Sequence, residues 1–465
     1  MLGLVCSACA TAPPPSIQMA AVPSAVAWHN ARPSTTPEWP TADWWSQFGT
    51  PELNRVVDLA LRDNPDMGAA VARLQQAEAL TRQARSALAP SLDATVNMSR
   101  SRGALSDGGN ASSSLHTLGL QTSYELDLWR RIGNESDAAA ARARAVAFDR
   151  DSIALTLAAS TASAWFDAMT LRARASLAAD NLSRAEQILS LLVKRGRAGA
   201  ASPLEIAQQQ TLVASQRRQE AALAQGSADA QARLAVLTGR PAAALSLAFV
   251  DPAQLMAPPI RAGQPAGLLT RRPDIARAEA LLAAADADVA AARAALLPRL
   301  SLTASLSSVF EHPSRLLDAP LYGIAGTLLA PIFNGGRLAA GRDAAIAGRA
   351  ALLASYQSTV IAAVGEVERS LAALHGIDRQ RAAQAQELAA ARRTTRLAEA
   401  RYRAGTDNLI VLLDAQRNEF AAQDTALELL KAQLQASLDL YRALGGGWHT
   451  PSSPPQLSLL GAPAP

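Results

Sequence analysis

Two cysteines, Cys6 and Cys9, are the only thiols in 465 residues, and they stand three apart near the N-terminus. A thiol so placed can be acylated. The order Ser7-Ala8-Cys9, followed by Thr11-Ala12-Pro13-Pro14-Pro15, is that of a bacterial lipidation motif and its tether, with small residues before a cysteine whose sulfur takes a lipid. Cys6 stands where such motifs usually have leucine, and Leu2 to Val5 is the one apolar stretch ahead of it. We therefore expect residues 1–8 to be the remnant of a signal peptide that starts upstream, Cys9 to carry lipid, and residues 9–50 to form a tether. The next residue, Ala10, is not the aspartate that retains lipoproteins at the inner membrane. An accidental cysteine pair is the competing reading.

Little else in the chain is arranged for bond chemistry. The histidines (His29, His116, His312, His375, His449) are scattered, and neither a metalloprotease helix motif nor a nucleophile elbow occurs. Lys194 and Lys431 are the two lysines, and neither lies in a phosphate-binding loop. Arginines alternate with acids, as in Arg142, Arg144, Asp149, Arg150 and Asp151, which describes a solvated helix face and not a nucleic-acid surface. The expectation is a protein that is not an enzyme, binds no nucleic acid and needs no cofactor or metal.

The elements must then explain the protein. Residues are 49% hydrophobic but only 4% aromatic. Alanine supplies much of the apolar count, and it favours helix while filling a core thinly. Long helices packed side by side suit this composition. No run of about twenty apolar residues exists to span a bilayer as a helix, since the longest uncharged candidate, Ala319 to Gly336, is broken by Pro320, Gly323, Gly326 and Pro331, so any membrane crossing is expected to be by strands.

An internal repeat sets the order of parts. Pro65-Asp66 recurs as Pro273-Asp274, Ala84-Arg85 as Ala292-Arg293 and Pro90 as Pro298, all 208 residues apart. Arg195, Arg197, Ala198 and Gly199 recur as Arg401, Arg403, Ala404 and Gly405, 206 apart. The chain reads as a tandem duplication, with a first repeat over 51–238, a crossover over 239–270, a second repeat over 271–444 and a tail over 445–465. Each half begins with a helix bounded by prolines. Strands are expected over 91–100 and 117–127, then 299–309 and 321–333, with turn-rich loops over 101–114 and 311–320. Long helices are expected over 134–193 and 203–237, then 338–400 and 409–444. A helix of sixty residues is roughly 90 Å long, which calls for coiled-coil packing or a tube.

The strands carry the functional argument. Leu92, Ala94, Val96 and Met98 alternate with Ser91, Asp93, Thr95, Asn97 and Ser99, and Leu300 to Ser307 repeats the alternation. Such strands, about ten residues long, fit a membrane barrel with lipid on one side and water on the other. A soluble sandwich strand shows the same alternation. Four strands cannot close a barrel, and open edges in lipid leave backbone groups unpaired, so this reading requires an oligomer. The fold class expected is mainly α with a transmembrane β-barrel contribution: four strands and long antiparallel coiled-coil helices per chain.

These features together resemble the TolC-like outer membrane factors, in particular the lipoprotein members that serve RND-type efflux systems. The resemblance runs from Cys9 to about Leu444. It is carried by Trp44-Trp45-Ser46-Gln47-Phe48, Asn64-Pro65-Asp66, Arg271-Arg272-Pro273-Asp274-Ile275, Pro331 to Arg337, Arg401 to Gly405 and Leu412 to Arg417. It implies a homotrimer with a twelve-stranded barrel and a twelve-helix periplasmic tunnel. It also implies outer-membrane lipid around the barrel, and a periplasmic adaptor and an inner-membrane RND transporter as partners. The tips that meet the adaptor would be Ala198, Gly199, Ala200, Ala404, Gly405 and Thr406. The family commonly has an apolar residue and then Ser or Thr after each tip glycine, and this chain departs from that with Ala200-Ala201 and Thr406-Asp407. Asp414 matches the aspartate at the periplasmic aperture, with Ile410 one turn nearer the tip. A second acid found three residues earlier in some members is Val411 here. An ion pair of Asp414 with Arg417 is the plainer reading of that carboxylate. A type I protein-secretion channel and a non-channel periplasmic coiled-coil scaffold are the alternative functions.

Overall fold

A computed structural model describes Trp28 and residues 39–104, 110–258, 265–310 and 320–449. The expected lipid site at Cys9, most of the tether and the tail from residue 450 lie outside the described residues. Helix α1 (Pro51–Asp63) leads into α2 (Pro65–Ser86), and the break between them is chemical. Pro65 has no N–H to give and sits at N1, while the Asn64 side chain accepts from the Asp66 N–H at 2.7 Å. Strands β1 (Ser91–Ala104) and β2 (Asn110–Leu126) follow, then α3 (Arg131–Arg197) and α4 (Pro203–Leu237). The second half repeats this with α5 (Pro273–Ala294), β3 (Arg299–Phe310), β4 (Pro320–Leu329), α6 (Arg337–Arg403) and α7 (Leu409–Ala443). The duplication is dimensional as well as sequential: α3 and α6 both have 67 residues, α4 and α7 both 35. At 1.5 Å per residue the longer pair spans about 100 Å.

The four strands form one antiparallel sheet in the order β1-β2-β3-β4. Helices α2, α3, α5 and α6 pack side by side in the order of the strands they adjoin, so sheet and helices continue one wall. Two places differ from the sequence expectation. The β1–β2 ladder runs on into the Ser- and Gly-rich stretch assigned to a loop, pairing Arg100 with Ser114 and Ala104 with Asn110, because ladder bonding in a hairpin outweighs local propensity. Strand β4 ends at Leu329 and not at 333, since Pro331 cannot donate to a ladder.

Aromatic residues are few but concentrated. Trp44, Phe48, Trp165, Phe166 and Tyr441 share one buried cluster with α1, α4 and the C-terminal part of α7. Trp44 stacks on Tyr441 with centroids 5.5 Å apart, and Phe48 lies 5.1 Å from Phe166. This belt of large side chains supplies the core that alanine cannot. At the two edges of the wall the helices are bare. Ala70 is the one buried residue of α2, and most of the first third of α6 is exposed. One part of α6 is long and apolar enough to cross a membrane by length and composition, which qualifies the sequence reading. Its Ala- and Gly-rich surface is suited to close helix packing.

Candidate channel wall and gate

The sheet sorts its side chains by face. Cross-strand partners share a face, and the register aligns Leu92 with Thr122, Ala304 and Ile324, then Ala94 with Leu120, Leu306 and Tyr322. Tyr124, Leu302 and then Leu126, Leu300 and Leu328 extend the same face toward the helices. It is unpacked: Leu92 is 72% exposed, Met98 75% and Ile324 86%. The opposite face carries Asp93, Thr95, Gln121, Ser123, Ser301, Thr303 and Ser305. Exposed leucines over four strands, backed by hydroxyls and amides, form a wall between lipid and water.

The strand–helix junctions are tied. The Asp127 carboxylate accepts from the Ile132 and Gly133 N–H groups at 3.0 and 2.6 Å, capping α3. Trp129 donates its indole N–H to the Pro298 carbonyl at 2.8 Å, joining the two halves where the sheet meets the helices.

At the far end, both long helices reverse through matched turns. Gly199 and Gly405 have φ of 72° and 73°, which a side chain rarely adopts. Ala200 donates to the Arg195 carbonyl at 2.8 Å, and Thr406 to the Arg401 carbonyl at 3.0 Å, so each turn closes the helix the same way. Ser202 and Glu205 form a capping box on α4, and Asn408 caps α7 through the Val411 N–H. The two hairpins also hold each other. Arg195 lies over the Tyr402 ring at 5.3 Å, beside an apolar cluster of Leu192, Leu212, Leu409, Leu412 and Leu413. Burial pushes the Tyr402 phenol above its usual pKa, with Arg195 opposing. Arg401 pairs with Asp407 at 2.8 Å.

The expected tip residues therefore come together at one end of the molecule. Ile410 and Asp414 stand on one exposed strip of α7, opposite its buried Leu412, Leu413 and Gln416. Ile410 is 49% exposed and the Asp414 side chain 66%. The nearest Arg417 nitrogen stands 4.0 Å from the Asp414 carboxylate, too far for a hydrogen bond.

Sequence reasoning missed the clamps between helices. Arg174 on α3 donates a fork to Asp424 on α7, both bonds 2.7 Å, and reaches Glu428 at 2.9 Å. Arg272 binds Asp274, Glu366 and the Ala443 carbonyl, joining α5, α6 and α7. Among the described residues no group of His, Cys, Asp and Glu is arranged to hold a metal.

An amphipathic strand wall continued by two helices about 100 Å long, each with a shorter antiparallel partner, defines one segment of an outer-membrane export duct. Comparison with known proteins agrees. The family model described as "Outer membrane efflux protein" matches residues 56–240 and 265–446. The pyoverdine export outer membrane protein OpmQ of Pseudomonas aeruginosa is 41% identical over 96% of both chains. The toluene efflux pump outer membrane protein TtgC of Pseudomonas putida is 34% identical over 87% of this chain and 85% of its own. Among solved structures, the open state of the Neisseria gonorrhoeae MtrE channel has a TM-score of 0.84 at 29% identity, covering 92% of this chain and 96% of its own. The outer-membrane channel OprN has a TM-score of 0.82 at 28% identity, over 90% and 97%. The chain belongs to the outer membrane efflux protein family, and it is an outer-membrane channel component of an efflux pump. The scaffold reading is thereby overturned.

Proposed function

We propose that the protein works as a homotrimeric, lipid-anchored duct in a tripartite pump. The carrying observation is the open sheet. Among the described residues, strands β1 and β4 have ladder partners on one side only, while their apolar face is ready for lipid. Each unpaired backbone group in hydrocarbon costs several kcal/mol, so β4 of one protomer pairs with β1 of the next until the ring closes. Three chains supply twelve strands, and α3, α4, α6 and α7 supply twelve tunnel helices. The bare surfaces of α2 and α6, at the same two edges, pack against each other across the protomer boundary.

Cys9 anchors each protomer in the outer membrane. Ala198, Gly199, Ala200, Ala404, Gly405 and Thr406 meet a periplasmic adaptor, which links the duct to an inner-membrane RND transporter. Ile410 and Asp414 face the axis and form the periplasmic aperture: three apolar side chains narrow it and three carboxylates favour cations. The exposure of both residues and the long Arg417 separation support this placement. The inner-membrane pump selects the cargo. Given the extent of the OpmQ match, a pyoverdine-type siderophore is the first cargo to test.

Chemical crosslinking and native mass measurement of the detergent-extracted protein test the architecture. Three chains per particle are expected. A folded monomer with all four strands in the membrane would refute it.

A further inference from the structure

The lipid-facing side of the sheet is asymmetric in charge. Reading even-numbered positions along β1 from the helix end gives Leu92, Ala94, Val96, Met98, Arg100 and Arg102. The corresponding positions of β2, β3 and β4 are occupied by Leu, Ala, Ser, Thr, Tyr, Ile, Phe, His116, Gly and Pro where side chains are described. Arg100 and Arg102 are thus the full charges of that face among the described residues. Both are exposed. The acids of the sheet, Asp93 and Glu125, are at odd positions, on the water side.

Their height follows from the register. The apolar band runs on β2 from Leu126 up to His116, which pairs with Met98 and Phe310 and stacks on the Phe310 ring at 5.6 Å. Ten steps of about 3.4 Å make about 34 Å of strand. Tilted by about 40°, that is about 26 Å of membrane, the height of a barrel's apolar girdle. Arg100 stands opposite Ser114, two residues beyond Met98, and Arg102 two further on. They are therefore about 5 and 10 Å above the band by the same rise and tilt, at the depth of lipid headgroups. The helices leave the sheet at the other end, so this is the outer leaflet.

We propose that Arg100 and Arg102 form a phosphate-binding site on the outer wall of the barrel, occupied by the phosphorylated glycolipid of the outer leaflet. Two guanidinium forks on one strand face present parallel donors that match phosphate oxygens. Among the described residues no acid on that face competes for them. The site fixes the barrel's height and orders the lipid ring around each protomer. This inference rests on the proposed outer-membrane placement of the sheet with its helices in the periplasm.

The test uses the full-length protein in detergent, with native mass spectrometry of bound lipid. Wild type is titrated with diphosphoryl lipid A, with dephosphorylated lipid A and with phosphatidylglycerol. The R100Q/R102Q variant is titrated with the first. Wild type should retain diphosphoryl lipid A at least tenfold better than dephosphorylated lipid A, and the variant should lose that advantage. Equal retention of both forms by wild type overturns the site without recourse to any variant. Phosphatidylglycerol bound as well as diphosphoryl lipid A overturns the glycolipid as occupant. Density-gradient fractionation of wild type checks the underlying placement separately. Recovery in the outer membrane with equal lipid retention sinks the site alone, whereas recovery elsewhere sinks both.

Discussion

Replacing Arg272 with alanine should loosen the junction of α5, α6 and α7, at a cost that the geometry lets us work out. Arg272 is 8% exposed and makes four charge-assisted bonds. Its Nε and Nη2 donate to Asp274 at 3.0 and 2.6 Å, and its Nη1 donates to Glu366 at 2.8 Å and to the Ala443 carbonyl at 3.0 Å. Burial alone would lower its pKa, but the two carboxylates outweigh it and hold the guanidinium above its usual value. Removing one partner of a fully buried ion pair costs about 3–5 kcal/mol. Here the partners keep water, since the Asp274 and Glu366 side chains are 38% and 36% exposed. Their share falls toward about 0.2–1 kcal/mol each. The Ala443 carbonyl loses its side-chain donor, for about 1–3 kcal/mol, and the packing of the arginine stem is lost as well. We expect a loss of about 2–4 kcal/mol for Arg272→Ala. Arg272→Lys should recover only part of it, because an ammonium cannot form the fork. Denaturant unfolding followed by tryptophan fluorescence reads the change, as Trp44 and Trp165 lie in the neighbouring core. A double-mutant cycle with Glu366→Gln isolates the pair. A loss under about 0.5 kcal/mol, or no coupling to Glu366, would refute the reasoning.

Three further outcomes are expected. In planar bilayers, Asp414→Ala should weaken cation selectivity and raise leak conductance, and Ile410→Ala should widen the constriction with a smaller effect on selectivity; unchanged conductance with a destabilised trimer would assign Asp414 a structural role with Arg417. Fatty-acid labelling should mark wild type and not Cys9→Ala, and equal label in both would remove Cys9 as the anchor. Burial, with Glu366 adding to it and Arg442 opposing, raises the Asp439 pKa above its usual 3.8. The folded state then binds its proton more tightly than the unfolded state, so stability falls as pH rises from about 3.8 through the folded value. Asp439→Asn should therefore raise stability at pH 7 and leave it unchanged below about pH 3.8, as read by melting curves at the two pH values; a stabilisation equal at both would contradict the burial account.

Much of this molecule is legible locally. Alternation in Leu92 to Met98 and in Leu300 to Leu306 specifies a two-faced strand, because side chains switch sides at every residue. Pro65 and Pro273 open helices, and Gly199 and Gly405 reverse them, through backbone constraints that need no distant partner. The duplication repeats each of these signals, so the two halves are visible together. The clamps are not legible in this way. Arg174 meets Asp424 across 250 residues, and Arg272 meets Glu366 across 94. In a chain where arginines and acids alternate along every helix, spacing cannot say which will face each other; that depends on which helices become neighbours. The same holds for Arg195 over Tyr402, which exists only because the tips of both hairpins end at one level. Strand order is also a tertiary result, since the β2–β3 pairing joins the halves and leaves β1 and β4 as the open edges. Periodicity fixes what each segment buries, whereas long-range packing alone decides against what.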